Sequence, residues 1–127
     1  MNLLDTDAVI ERLREKRYEA GFISVVTLIE VLRGVGGERR ARLKALLEET
    51  FGVLNLDNES ISTYCRLYTE LRERGKMVPD ADLLIAATAI SHDLSLKTGD
   101  GHFERLRPLG LKIIELEASA PPGLPCS

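Results

Sequence analysis

The sequence predicts an α/β domain with a central parallel sheet of four to five short strands and helices on both faces. Three observations predict it. Short apolar runs of strand length alternate with longer stretches of helical period, the pattern of a parallel sheet. The stretch 83–90 is apolar nearly all round, as a centrally buried helix would be. A length of 127 residues suits one domain with one real core.

The elements follow in order. Residues 1–4 read as a short buried strand. Asp5 or Thr6 caps a helix running to about Lys16, with Val9, Ile10 and Leu13 inward. Gly21 breaks the chain, and Phe22-Ile23-Ser24 forms a short strand or turn. A helix to Arg33 is closed by Gly34, Gly36 and Gly37. Residues 38–50 form the second helix of a hairpin, with Leu43, Leu46 and Leu47 on one face. Val53-Leu54-Asn55-Leu56 alternates as a strand. Asn58 caps a long helix to Arg74 with the stripe Ile61, Tyr64, Cys65, Tyr68 and Leu71, and Gly75 stops it.

Pro79 and Asp80 open the apolar helix, which runs to about His92, with Asp80 as its cap. Leu94–Thr98 is a buried strand, Asp100 begins a short helix to about Leu106, and Lys112–Leu116 is the last strand. The domain is expected to span 1–117. Residues 118–127 hold three of the five prolines and little that packs, which predicts a frayed tail.

Composition narrows the class. Hydrophobic residues at 44% and charged residues at 29% are ordinary for a globular domain. No apolar run reaches the roughly 18 residues of a membrane span. Met1-Asn2-Leu3-Leu4-Asp5 lacks the basic start and long apolar core of a signal peptide, so a cytoplasmic location is expected. Two cysteines without a C-x-x-C are read as reduced thiols. A net charge of −3 argues against nucleic acid, yet basic residues cluster at 12–17 and 33–44. Such strips can follow a phosphate backbone, or can be solvated helix faces.

The informative residues are acids beside core-forming runs: Asp5, Glu30, Asp82 and Asp100. Burying a carboxylate is costly unless its charge is compensated. Each acid has an ordinary alternative. Asp5 could simply be a helix cap, Glu30 could pair with Arg33, and Asp82 could complement a helix dipole. Asp7 reads as a first-turn acid. Gly99 and Gly101 around Asp100 suggest a tight turn with close backbone approach. His102 could be a ligand, a proton carrier or a surface residue. Jointly, oxygen donors from several segments suit a hard cation such as Mg²⁺ or Mn²⁺. Asp5 and Asp100 follow strands, which places them at the carboxyl-end cleft of a parallel sheet. No zinc spacing, phosphate-binding glycine loop or nucleophile elbow competes.

Four strings together resemble the PIN-domain ribonucleases, of the kind found as the toxin in VapBC toxin–antitoxin pairs. They are Leu3-Leu4-Asp5-Thr6-Asp7, Ser24–Val31 around Glu30, Asp82–Ala89, and Leu96–Phe103 around Asp100. The likeness covers essentially residues 1–116. It departs at His102, where many relatives carry an acid before the phenylalanine.

The resemblance implies Mg²⁺- or Mn²⁺-dependent RNA hydrolysis at Asp5, Glu30, Asp82 and Asp100, leaving a 5′-phosphate and a 3′-hydroxyl. Thr6 and Thr98 would orient the acids. Arg12, Arg14, Arg39 and Arg40 are expected to line the RNA path. A homodimer and a separate antitoxin protein are implied as well, the antitoxin's peptide lying in a groove between the helices at 27–50. Other readings use the same residues: a PIN-fold processing nuclease that is no toxin, or a non-catalytic binding module. A haloacid-dehalogenase-type phosphotransferase would use Asp5 and Asp7 as its D-x-D pair, but it leaves Glu30 without a role, and the chain is short for that fold.

Overall fold

The computed structural model describes residues 1–116, so the expected tail at 118–127 lies outside the described residues. The chain runs β1 (Asn2–Leu4), α1 (Thr6–Glu15), β2 (Phe22–Ser24), α2 (Val25–Arg33), α3 (Gly37–Thr50) and β3 (Gly52–Leu54). It continues through α4 (Asn58–Arg74), α5 (Asp80–Ser91), β4 (Ser95–Thr98), a 3₁₀ segment (Gly101–Leu109) and β5 (Ile113–Glu115).

The five strands form one parallel sheet in the order β3-β2-β1-β4-β5. Side chains alternate across it. Leu3, Leu96 and the half-buried Phe22 pack with Leu67, Leu71, Leu83 and Phe103 from α4, α5 and the 3₁₀ segment. Leu4 and Ile23 pack on the other face with Ala8, Val9, Leu28 and Leu47 from α1, α2 and α3. Both faces are therefore covered, as a parallel sheet requires.

The strand order places the site. From β1 the chain steps outward to β2 and β3, then returns to lay β4 and β5 on the other side of β1. The carboxyl ends of β1 and β4 flank the point where the direction of winding reverses, and a crevice opens there in such sheets. Asp5 leaves β1 at that point and Thr98 ends β4 beside it.

Several local expectations need correction. Asp57, not Asn58, caps α4, accepting from the Ser60 amide at 2.8 Å. The buried face of α4 is Ser60, Leu67 and Leu71, with Tyr64 and Tyr68 partly covered; Ile61 and Cys65 face outward. Ile10 is likewise exposed. Pro79 occupies the cap of α5 and Asp80 is its first helical residue, with a carboxylate that accepts from the Tyr64 hydroxyl at 2.8 Å. Gly75 does close α4 in the left-handed conformation, with φ of 65°, where a Cβ would be strained.

Candidate active site

Asp5 is both a helix cap and a member of the crevice. Its Oδ1 accepts from the Ala8 amide at 2.8 Å, which holds the first turn of α1. Its Oδ2 accepts from the Thr98 hydroxyl. The side chain is only 3% exposed. Burial pushes its carboxyl up from 3.8 to about 6, against the lowering effect of the Thr98 and Ala8 bonds; the charges of Asp7 and Asp82 add to the rise.

Thr98 also joins two strand ends. Its hydroxyl oxygen accepts from the Asp100 amide at 2.9 Å while its proton goes to Asp5. Asp100 then caps the 3₁₀ segment, accepting from the His102 amide at 3.0 Å. The His102 ring folds back: Nδ1 lies 2.9 Å from Asp100 Oδ1, and Nε2 lies 3.7 Å from Asp82 Oδ2. Close backbone approach does not explain the two glycines around Asp100. A Cβ at Gly101 would meet nothing within 4 Å, and one at Gly99 only an ordinary contact with Leu116 at 3.8 Å.

Asp82 stands in the first turn of α5. Its carboxyl is held above the usual range, first by burial, then by the charges of Asp100, Glu30 and Asp7, while His102 opposes the rise. Glu30 arrives from α2. The Thr6 hydroxyl sits 2.6 Å from Glu30 Oε1 and 3.2 Å from the buried Thr27 hydroxyl, so Thr6 donates to the carboxylate. Arg33 lies 3.7 Å from the other oxygen of Glu30.

The four acids predicted from sequence thus face one region, but not as a uniform ring. Among the described residues, Asp82, Asp100 and His102 each offer a donor atom within 4.8 Å of the others. Asp5 and Glu30 do not join that group. They approach it tethered to Thr98 and Thr6. The sequence leaves His102 open and does not single out Thr27; the signals for His102 are its place two residues after an acid in a turn and the departure from the family pattern at that position. Asp7, read as a dipole acid, also bears electrostatically on Asp5 and Asp82. Beside Asp100 a cleft of about 220 Å³ opens between residues 98–101, Glu104 and the β5 residues Ile113 and Glu115.

The donor set suits a divalent cation. The Asp82 carboxyl feels the charges of Asp100, Glu30 and Asp7, and the ion pairs of Asp82 and Asp100 among the described residues are to His102. Such a group favours an ion with oxygen ligands.

The basic residues divide. Arg12 is only 3% exposed; its Nε donates to Glu19 at 2.6 Å, and Glu19 also accepts from the buried Lys97 at 3.0 Å. Those two cations hold the Glu19 carboxyl below its ordinary range despite the opposing effect of burial. Arg12 is therefore part of an internal ion network, and the expectation that it lines an RNA path is corrected. Arg14 and Arg39 are exposed. The Nε of Arg40 is committed to the Leu32 and Val35 carbonyls at the end of α2, at 3.2 and 2.7 Å.

Fold and crevice together define an α/β domain that gathers carboxylates at its topological switch point. The PIN domain profile matches residues 3–108, and the chain belongs to the PIN-domain family. It is 35% identical over 117 residues to Ribonuclease VapC1 of Methanocaldococcus jannaschii, covering 89% of this chain and 86% of that protein. It is 30% identical over 131 residues to Ribonuclease VapC1 of Rickettsia felis, covering 91% and 96%. Among solved structures, a chain of VapBC-5 from Mycobacterium tuberculosis, a member of the VapBC family of toxin-antitoxin systems, superposes with a TM-score of 0.70 at 32% identity. That match covers 91% of this chain and 98% of that one.

Proposed function

We propose that this chain is a divalent-metal-dependent ribonuclease and the toxin of a VapBC-type toxin–antitoxin pair. The observation that supports the reading is the electrostatic proximity of Asp82 to Asp5, Glu30 and Asp100, in a chain whose relatives are named Ribonuclease VapC.

Asp5, Glu30, Asp82 and Asp100 would hold Mg²⁺ or Mn²⁺. When bound, such an ion neutralises phosphoryl charge and makes a coordinated water more acidic. The chain's own groups supply the rest. Thr98 and the Ala8 amide fix the Asp5 carboxylate, and Thr6 fixes Glu30, so the acids meet a substrate already oriented. In the reaction a water oxygen attacks phosphorus and the bond to the 3′ oxygen breaks, leaving a 3′-hydroxyl and a 5′-phosphate. The exposed Arg14 and Arg39 are the surface cations proposed to meet the RNA backbone, with Arg40 contributing what its carbonyl contacts leave free.

The same reading includes a homodimer and an antitoxin peptide seated along α2 and α3, where Ile29 is 57% exposed. No helix among the described residues is long and apolar enough to cross a membrane. End-group mapping of RNA cleaved by the purified protein tests the chemistry. New 5′-phosphate ends support it, and a 2′,3′-cyclic phosphate would rule it out.

A further inference from the structure

We infer that His102 is a nitrogen donor to the cation in this crevice and sets its preference for Mn²⁺ over Mg²⁺. The inference rests on the metal-site reading above and adds to it a ligand of different chemistry.

The ring's orientation carries the argument. Nδ1 lies 2.9 Å from Asp100 Oδ1. An ionised carboxylate only accepts, so in the neutral imidazole Nδ1 holds the hydrogen and Nε2 keeps a lone pair. Nε2 lies 3.7 Å from Asp82 Oδ2. The separation is too long for a hydrogen bond. It is the right scale for two donors sharing one ion, which stand roughly 3–4 Å apart when each is about 2.1 Å from the metal. A carboxylate that receives the far nitrogen's proton while the near nitrogen binds metal is the usual way a ligating histidine is oriented, so Asp100 would hold this ion through His102 rather than touch it.

The loop supports the same geometry. The Asp100 side chain also accepts the His102 backbone amide at 3.0 Å, so one carboxylate fixes both the main chain and the ring. The ring is 43% exposed, which leaves the lone pair open to an arriving ion. Hard Mg²⁺ gains little from imidazole and keeps its waters, whereas Mn²⁺ accepts a mixed oxygen and nitrogen shell. His92, the other histidine, is engaged elsewhere: its Nδ1 lies 3.0 Å from the Thr88 carbonyl and its Nε2 3.5 Å from Asp57.

Pulsed EPR of the Mn²⁺-loaded protein tests the assignment, alongside thermal-shift titrations with Mg²⁺ and Mn²⁺. Wild type, His102→Ala and Asp82→Asn are compared, with melting temperatures in chelator reporting that each variant folds. The expected result is ¹⁴N modulation of the Mn²⁺ signal in wild type that His102→Ala abolishes. The ratio of Mg²⁺ to Mn²⁺ midpoints should fall about tenfold in His102→Ala, the scale for disturbing a ligand shell. Saturable Mn²⁺ binding that depends on Asp82 but shows no nitrogen modulation would overturn the role of His102 and leave the metal site standing. Absence of saturable binding, or binding indifferent to Asp82→Asn, would overturn the metal-site reading and this inference with it.

Discussion

The Thr98 hydroxyl donates to the Asp5 carboxylate, across 93 positions of sequence, and accepts from the Asp100 amide with the same oxygen. One side chain thus ties the end of β1 to the turn after β4. Thr98→Val removes both bonds while keeping the shape. We expect a fall in RNA-cleavage kcat/KM of about 10–100-fold, the range for losing a group that orients a metal-binding carboxylate. Thr98→Ser should recover most of it. Equal loss in both variants would mean that packing, not the hydroxyl, matters.

Asp5 makes stability depend on pH in a defined direction. Its folded carboxyl titrates near 6, above the ordinary 3.8, so the folded state binds the proton more tightly than the unfolded chain does. The contribution is present in full below about pH 4 and is lost as pH rises through 6, up to about 3 kcal/mol for a shift of this size. The Asp82 carboxyl, also raised, adds in the same direction. Urea unfolding in chelator should show the protein less stable at pH 7.5 than at pH 5. Asp5→Asn should shrink that difference, and added Mn²⁺ should reverse it at pH 7.5. A flat profile in the wild type would contradict the burial argument.

Glu19 is the shared partner of Arg12 and Lys97, both nearly inaccessible. Glu19→Gln leaves two buried cations underpaired. The cost should be about 3 kcal/mol, the low end for breaking a buried pair because Glu19 itself is partly exposed. Thermal or urea unfolding reads this directly. A change within a few tenths would show the network to be solvated.

The surface cations should behave differently from Arg12. With catalysis removed by Asp82→Asn, Arg39→Glu should weaken RNA binding and flatten its dependence on salt. Arg12→Gln should lower the melting temperature instead, because the nearly inaccessible Arg12 commits its Nε to Glu19. An unchanged salt slope in Arg39→Glu would remove that residue from the RNA path.

Much of this architecture could be read from local pattern. Leu3 and Leu4 before Asp5, and the all-apolar stretch beginning at Leu83, announce buried elements with acids at their ends. Glu30 stood out because its neighbours are apolar. Gly75 marked its own helix end, since the left-handed turn there disfavours a side chain.

What escaped depends on contacts between distant segments. Arg12 looked like a surface cation because nothing local shows that Glu19 and Lys97 will enclose it. The inward face of α4 was misplaced because Leu67, absent from the expected stripe, meets the core while Ile61 does not. Periodicity gives the helix, and packing chooses its rotation. His102 gained a role only when the turn after Asp100 folded its ring toward α5. The parallel order that puts β1 beside β4 made Thr98 and Asp5 neighbours, and no spacing in the sequence gives that distance.

The most direct measurement is cleavage of RNA by the purified protein with Mn²⁺ or Mg²⁺ and with chelator, comparing wild type with Asp82→Asn and Asp5→Asn. The proposed site predicts cleavage only in wild type and only with the ion. Cleavage that persists in chelator, or in either variant at the wild-type rate, would contradict it.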